Sequence, residues 1–315
     1  MPAGPVTTRS LYKTISGAGA TSQQPVGLIF KDLESVFYET GKERPPEFPT
    51  VFNVTTMQTN PEKHFQVAGL GTQPVKLEND PFAVDRHILG GEKLYSSVSY
   101  GLAVEFSFES WRDELYGVLK EMVAELARAN RNRQEVQAWS VLNNAFSTSF
   151  VGFTAGEALC QAHTGLDGAT RRNRPTVDVG MSIALVQGVI QRYESMTTER
   201  GLPRLMSPTM AVVTPTNKFK TREILGSSGK PFSADNEMNS LLQDDLSWMV
   251  GHYITTAAYN FFLAAKGTHT LDFKWRTKPI FDSYDDPRTK AAVFTSFQSL
   301  TSGFRSWRGV DGSTA

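Results

Sequence analysis

The stretch Leu126–Phe146 contains no proline and no glycine, and it belongs to a longer helical pattern over residues 109–146. Within residues 109–146, apolar residues recur at steps of three and four, and the stripe resumes after Arg133. They are Leu115, Leu119, Met122, Leu126, Ala129, Val136, Trp139, Leu142 and Phe146. Its charged residues share the other side: Glu121, Glu125, Arg128, Arg131 and Glu135. This spacing predicts one amphipathic helix about 55 Å long. The helix is too polar for a membrane and carries no catalytic signature, so we interpret it as a structural strut.

A long alternating strand precedes the helix. Apolar and polar side chains alternate over residues 94–108, which is typical of a half-buried strand. Residues 51–57 have the composition of a second strand, and the two enclose residues 58–93, which are rich in turn residues. A connection of this length inside a compact domain is uncommon and usually functional. We therefore expect a projecting two-stranded loop with a polar excursion that buries little of itself.

The rest of the chain predicts shorter elements. Residues 1–25 are small and polar, which predicts a flexible arm, and a short helix follows that ends near Gly41. Beyond a loop over residues 152–178, Asp178 is placed to cap a helix that ends before Gly201. The remaining predicted elements are a strand at 210–214, a helix from 217 to 225, mixed helix and strand at 249–265, and an antiparallel pair formed by LDFKWRTKPIF and AAVFTSFQSLTSGF.

Composition limits the class of protein. A chain of 315 residues is long enough for about two domains. Its 32 basic and 32 acidic side chains give zero net charge, which argues against a strongly basic nucleic-acid-binding surface and still permits a locally basic face. The single cysteine, Cys160, excludes an intrachain disulfide and a four-cysteine zinc site, and it favours a reducing compartment. No apolar run indicates a membrane span or a secretory signal.

Short catalytic motifs are absent from the sequence. None of the five histidines lies four residues from another, and no phosphate-binding glycine motif or nucleophile elbow is present. His163, in HTGLDG, comes nearest to a site. An α+β cytosolic enzyme that uses His163 or His252 with a nearby aspartate is therefore kept as an alternative.

Taken in order, these elements resemble the major capsid proteins of tailed bacteriophages, which have the Hong Kong 97 fold. The resemblance rests on the arm at 1–25, the extended loop with its tip around 60–93, the long helix 109–146 ending in WSVLNNAF, the loop 152–178, and the segment MTTERGLPRLMSPTMAVVTPTNKFKTREILGSS at 196–228. That segment has a helix, Arg-Gly with a proline close behind, an apolar strand ending in proline, and a further helix. The resemblance implies an α+β capsid fold. It assigns 1–25 to an N-terminal arm, 51–104 to the extended loop, 178–270 to an axial domain, and 26–50, 105–177 and 271–315 to a peripheral domain with its spine helix at 109–146.

The resemblance also implies a function. We expect a major capsid protein that assembles into hexamers and pentamers of an icosahedral shell around double-stranded phage DNA, formed in the cytoplasm of the host bacterium. The implied partners are other copies of the chain, a portal, a scaffold or maturation protease, a cement or decoration protein, and packaged DNA on the inner face. No catalysis, cofactor, metal or membrane is implied. An encapsulin-like shell around a protein cargo is the alternative within the same fold.

Two groups of arginines are candidates for contact with DNA or with acidic neighbours. They are Arg128, Arg131 and Arg133 in the long helix, and Arg171, Arg172 and Arg174 in TRRNRP. A solvated face with pairs at i, i+4 is the plainer interpretation of the helix charges.

Overall fold

The computed structural model describes residues 24–107, 109–110, 116–231, 237–244, 246–256, 260–289 and 291–314. The arm predicted at 1–25 lies outside them, apart from Gln24 and Pro25. The α-helices are α1 (Gln24–Thr40), α2 (Phe48–Val51), α3 (Tyr116–Asn143), α4 (Ile183–Glu194) and α5 (Lys218–Gly226). The strands are β1 (Asn53–Thr56), β2 (Glu62–Ala68), β3 (Ile88–Tyr95), β4 (Val98–Phe106), β5 (Ala162–Thr164), β6 (Thr170–Arg172), β7 (Met210–Val213), β8 (Ser247–Val250), β9 (Phe261–Ala264), β10 (Leu271–Asp285), β11 (Ala292–Phe304) and β12 (Val310–Ser313).

The strands form two four-stranded sheets and two hairpins. The sheets have the orders β1–β10–β11–β4 and β12–β9–β7–β8, and the hairpins are β2–β3 and β5–β6. The neighbours β10 and β11 are joined by a short turn, which requires them to run antiparallel and confirms the predicted closing pair. β4 pairs antiparallel with β11, from Val98 opposite Leu300 to Phe106 opposite Ala292, and it lies at the edge of its sheet.

The chain divides into two compact units. Unit 1 comprises the described residues up to Pro46, Ser97–Val136 and Trp275–Leu300, and unit 2 comprises Glu47–Ser96, Gln137–Lys274 and the described residues from Thr301 onward. The boundaries fall inside α3, β10 and β11. The assignment to arm, peripheral domain, extended loop and axial domain stays a prediction.

The core of unit 1 joins helices α1 and α3 to three strands. It contains Leu33, Phe37, Phe106, Leu119, Val123, Leu126, Ala127, Phe281, Ala292 and Phe294. The ring of Phe37 stacks on Phe281 with the centroids 4.9 Å apart. Burying a large apolar side chain such as Leu33 or Phe37 stabilises the fold by about 1.5–3 kcal/mol. Burial of these two side chains therefore holds α1 against the rest of unit 1.

The long helix α3 is confirmed, but it ends at Asn143 and not at Phe146. Residues 109 and 110 are also helical, and residues 111–115 lie outside the described part. The amide of Asn143 donates to the Tyr253 carbonyl at 2.9 Å and accepts from the Thr255 N–H at 2.9 Å. Such side-chain bonds to backbone outside the helix favour termination there.

The buried face of α3 differs from the predicted stripe. Leu119, Leu126, Trp139 and Leu142 are buried as predicted, whereas Met122 and Val136 are exposed. Val123 replaces Met122, because a 3.6-residue period places it between Leu119 and Leu126. Glu135 was predicted to be solvated and is buried, since the last third of α3 buries more than one face, with Ala138, Trp139, Val141 and Leu142 all inside.

Unit 2 is built around the sheet β12–β9–β7–β8. β7 pairs parallel with β8 and antiparallel with β9. α4 packs Val186, Val189 and Tyr193 into the core of this unit, and the Tyr193 hydroxyl donates to the Leu263 carbonyl at 2.9 Å. The strand predicted at 210–214 is confirmed as β7. The described part of 249–265 contains β8 and β9 residues and no helix, so the helical part of that prediction is wrong outside 257–259.

The N-cap of α4 is Ser182, not Asp178. The Ser182 hydroxyl accepts from the Leu185 N–H at 3.3 Å. Asp178 lies too far from the first turn to act as its cap, and it pairs with Arg174 instead.

Residues 62–95 of the predicted extended loop contain the hairpin β2–β3. The strands run antiparallel from Glu62 opposite Tyr95 to Ala68 opposite Ile88, with a register shift between Phe65 and Val67. The single strand predicted at 94–108 is wrong, because the chain changes pairing partner at residues 96–97, from β2 to β11. The strand predicted at 51–57 is β1, which joins the sheet of β10 instead of closing the loop.

Candidate assembly surfaces

The outer part of the hairpin exposes large apolar side chains. Among the described residues these are Phe65, Val67, Leu70, Val75, Leu77, Phe82, Val84, Ile88, Leu89 and Leu94. Val75 is 91% exposed, Val84 87% and Phe82 83%. The excursion predicted to be polar is therefore substantially apolar. So many large apolar side chains exposed in one segment indicate a site of interaction.

The outer end of the β2–β3 ladder is also fixed to the rest of unit 2. The Arg200 guanidinium donates to the Gly69 carbonyl at 3.2 Å, to Asp85 Oδ1 at 3.2 Å and to the Arg86 carbonyl. The pKa of Asp85 is lowered, first by the backbone N–H of Gly71 and then by that of Arg86. A Cβ at Gly91 would lie 2.0 Å from the Phe153 carbonyl oxygen, so only glycine allows this approach.

Buried charges join the root of the hairpin to β10. Lys274 Nζ lies 2.5 Å from Glu62 Oε1 and 2.9 Å from His64 Nε2, and the Tyr95 hydroxyl donates to Asp272 at 3.0 Å. Burial alone would raise the pKa of Glu62, but the hydrogen bonds and charges of Lys274 and His64 outweigh it and lower the pKa. Burial, followed by the Asp272 charge, raises the pKa of Tyr95. Buried charges and hydrogen bonds therefore hold the root, while the apolar outer part stays exposed.

The hairpin carries a shaped acidic turn, which we call the acidic tip (residues 77–82). The Asp80 N–H donates to the Leu77 carbonyl at 3.2 Å, and Asn79 at the third position has a φ of 66°. Asparagine tolerates this left-handed conformation better than most residues. Glu78 and Asp80 are both exposed on the turn, next to the exposed Phe82.

Unit 1 has an open groove of about 310 Å³ between α1, α3 and β10. Its apolar wall includes Phe37, Tyr38 and Pro279, and we call it the basic groove because Lys42, Arg131 and Lys278 line it. None of its lining residues, all of them within the described ranges, is acidic. The groove can take an apolar side chain beside negative charge.

A second cavity of about 210 Å³ lies between α3 and the edge strand β4. Val98 and Leu102 of β4 are about half exposed. The Arg133 guanidinium lies 4.1 Å from the centre of the Tyr100 ring and donates to its hydroxyl at 2.7 Å. An exposed edge strand presents unpaired backbone groups to a further chain.

The arginines predicted from the helix lie in unit 1 and have different surroundings. Arg128 pairs with Glu125 and, at 3.5 Å, with Glu43. Arg131 lines the basic groove, and Arg133 stacks on Tyr100. The plainer interpretation, an intrachain pair on a solvated face, fits Arg128.

The arginines of TRRNRP lie in unit 2. Arg171 makes a two-point ion pair with Asp167, with one distance of 2.6 Å, and this pair lowers the pKa of that carboxyl. Arg174 pairs with Asp178, and Arg172 is exposed and donates to the Thr176 hydroxyl at 3.3 Å. Their contact with DNA or with acidic neighbours stays a prediction.

His163 is a packed core residue. Its ring stacks on Trp307 at 4.4 Å, Nδ1 lies 2.8 Å from Glu157, and Nε2 lies 3.1 Å from Asn173 Oδ1. Burial lowers its pKa against the opposing effect of Glu157. The exposed His252 pairs with Glu47 at 2.7 Å. Both ring nitrogens of His163 are occupied, which leaves no free base at this position.

Unit 2 contains further ion pairs with a buried member, among them Arg308 with Glu199 and Arg192 with Asp311. Asp311 accepts from Arg192 through both carboxylate oxygens at 2.9 Å. Burial outweighs the arginine and raises the pKa of Asp311 to about 6. Cys160 is buried, and burial likewise raises the pKa of its thiol.

The described residues contain no group of three or more side chains able to hold a metal ion. No helix within them combines the length and apolarity needed to cross a membrane.

Sequence reasoning missed the basic groove and the apolar character of the hairpin. Lys42, Arg131 and Lys278 are far apart in the chain and meet only in the fold. The hairpin residues did leave a signal, since Val75, Leu77, Phe82 and Val84 all lie in the stretch treated as polar.

The sequence profile of a family described as phage capsid protein matches residues 91–310. No curated protein matches the chain. Among solved structures, Gordonia phage Cozz is similar with a TM-score of 0.54, at 14% identity over 86% of this chain and 88% of that one. The procapsid of bacteriophage JBD30 gives 0.51, at 11% identity over 94% and 76%. The virus-like particle from Pyrococcus furiosus gives 0.52, at 9% identity over 90% and 98%. At such identities the structures establish likeness of fold.

Proposed function

Because the chain belongs to the phage capsid protein family and has the Hong Kong 97-like fold of tailed-phage capsids, we propose that it is a major capsid protein that forms hexamers and pentamers of an icosahedral shell around double-stranded DNA. The family membership makes it a structural shell protein of the virion capsid, so the prediction that it is not an enzyme is confirmed. The alternative with His163 as a catalytic base is set aside on the same ground.

The exposed apolar surface of the hairpin is the observation that carries the proposal. Side chains such as Val75, Phe82 and Val84 are almost fully exposed, while the root beneath them is held by buried charges. A root held by buried contacts that presents an apolar outer part fits burial against another copy of the chain. Each such contact can be modest, because many copies engage several neighbours at once.

The finer assignments belong to the same proposal. The arm at 1–25 and the extended loop serve contacts between subunits, and part of the shell's inner face meets DNA. A portal, a scaffold or maturation protease, and a cement or decoration protein complete the particle, which assembles in the host cytoplasm. The zero net charge supports a wall that encloses DNA without binding it tightly.

A cargo-enclosing shell is the second candidate. It is the alternative within the same fold, which the virus-like particle from Pyrococcus furiosus shares over 98% of its chain. Contents distinguish the two, because a virion holds nuclease-protected DNA and a cargo shell holds a co-purifying protein.

The test is the mass and shape of the purified protein, by light scattering and negative-stain electron microscopy. We expect closed shells, rings of five or six, or tubes. Serine replacement of both Phe82 and Val84 is expected to reduce assembly, whereas Leu205→Ser, at a 93% exposed site outside the hairpin, serves as the matched control. A stable species of one or two chains that never assembles when concentrated with phage partners would contradict the proposal.

A further inference from the structure

A single arginine attaches the outer loop of the hairpin (residues 69–87) to its own chain. The Arg200 guanidinium donates to the Gly69 carbonyl, directly after β2, and to Asp85 and the Arg86 carbonyl, shortly before β3. Among the described residues, these are the only hydrogen bonds and ion pairs that join the outer loop to chain beyond the hairpin. We propose that Arg200 is a latch that fixes the direction of the outer loop.

Burial does little to hold the outer loop in place. Every residue from Gly69 to Leu89 is exposed, so few apolar side chains are removed from water there. Asp85 accepts from the Gly71 N–H at 2.8 Å, which shapes the loop without attaching it to the rest of the chain. Its direction therefore depends on the bonds of Arg200 and on the strands that carry it.

Those strands are interrupted between the root of the hairpin and the outer loop. One residue of β2, Gln66, lies opposite two residues of β3, Gly90 and Gly91. A bulge of this kind disrupts the ladder and bends the strand, and glycine leaves the backbone more freedom than any other residue. The hairpin can therefore bend at the bulge while its root stays in place.

The turn that carries Arg200 is itself held on both sides. The Thr198 carbonyl accepts from Arg171 at 3.1 Å, and Glu199 pairs with the buried Arg308 at 2.7 Å. Arg200 is only 25% exposed, and its planar guanidinium presents donors in a fixed geometry. One anchored side chain can thus bind both arms of the loop at once.

The latch acts on assembly through the conformational freedom of the loop, and this consequence rests on the proposed function. A loop already fixed in one direction loses less freedom when it is buried against another copy than a loop free to bend. Arg200 is therefore a positioning residue for assembly. Removing its bonds should weaken assembly without unfolding unit 2.

The first measurement is the distance between two spin labels in the unassembled full chain, by pulsed electron paramagnetic resonance. The labels are placed at Val75→Cys in the outer loop and at Lys266→Cys in the turn between β9 and β10, both exposed, whereas the native Cys160 is buried.

The distance distribution is compared in the otherwise unchanged chain and in four variants of it. Arg200→Gln is expected to widen the distribution about twofold or more, since the bulge then bends freely. Arg200→Lys keeps the charge but not the planar fork, and Asp85→Asn removes the partner charge, so both should give intermediate widths. Arg222→Gln, at an exposed arginine of α5, is the matched control and should change nothing.

The second measurement is the critical concentration for assembly of the same variants without labels, by light scattering. Arg200→Gln is expected to raise it about threefold to tenfold, because the loop must then be ordered on binding. Thermal unfolding of the unassembled chain should change little, since Arg200 and Asp85 both contact solvent, and it serves as the check on folding.

The outcomes separate the latch from the proposed function. A distribution as narrow in Arg200→Gln and Asp85→Asn as in the unchanged chain would overturn the latch and leave the capsid function intact. A wider distribution with an unchanged critical concentration would overturn the role of Arg200 in assembly. A wild type that never assembles, with a distribution that Arg200→Gln still widens, would overturn the proposed function and leave the latch in place.

Discussion

Glu62→Gln is expected to destabilise unit 2 and loosen the root of the hairpin. Glu62 lies 2.5 Å from the ammonium of Lys274, whose side chain is 6% exposed, while that of Glu62 is 22% exposed. The glutamine keeps the shape and removes the charge. The buried ammonium of Lys274 then loses the carboxylate that it pairs with.

The magnitude follows from the burial of the pair. Breaking a fully buried ion pair costs about 3–5 kcal/mol, because the remaining charge loses its compensation. Glu62 keeps some contact with solvent, so we expect about 2–3 kcal/mol. For a unit of about 200 residues this lowers the melting temperature by about 4–12 °C.

Urea unfolding of the unassembled chain at pH 7 measures the change. Glu92→Gln is the matched control, since Glu92 pairs with Lys63 at 3.8 Å on the same hairpin and both side chains are 54% exposed. Such an exposed pair contributes about 0–1 kcal/mol. The double variant Glu62→Gln with Lys274→Met should lose less than the sum of the two single changes, since it leaves no buried charge.

The dependence on pH gives a second check. The pKa of Glu62 is lowered in the fold, so its contribution is present above its unfolded pKa of about 4.5 and is lost as the pH falls through the folded value. The difference between wild type and Glu62→Gln should therefore shrink on acidification below pH 5. A cost no larger than that of Glu92→Gln, or a difference that does not vary with pH, would refute the reasoning.

Three further outcomes are expected. The pKa of Asp311 is raised to about 6, so this carboxyl binds a proton more tightly in the folded chain than in the unfolded chain, and stability falls as the pH rises from about 4 to 6. Asp311→Asn should remove that slope in unfolding measured at several pH values. An unchanged slope would contradict this expectation. Reversing the charge of Arg171 and Arg172 together should impair assembly or packaging, and normal particle yield with normal DNA content would exclude this. His163→Ala removes a ring stacked on Trp307, so it should cost about 2–4 kcal/mol in calorimetry, and a change below 0.5 kcal/mol would show that the packing matters little.

Elements set by local pattern were predictable from the sequence. α1 and β7 lie where apolar periodicity and stop residues placed them, and so does most of α3. Their order along the chain was enough to identify the capsid fold, although no short motif is specific. The spacing of apolar residues along the chain was enough to predict these elements, because each of them buries apolar side chains that recur at its own period.

Features set by distant contacts were not predictable. The break at residues 96–97 arises because β3 and β4 pair with different strands, which no local alternation reveals. Glu135 is buried although its neighbours in sequence suggested a solvated face. Asp178 had the right residue type for a cap, but the cap is Ser182, four residues later, and the helix begins at Ile183.

The chain has no net charge, yet its charged side chains are unevenly distributed over the surface, and both properties favour contact between identical copies. A large net charge would make every pair of identical subunits repel, and 32 basic with 32 acidic side chains avoid that cost. Local patches can then decide which surfaces of two copies meet without opposing their approach at long range.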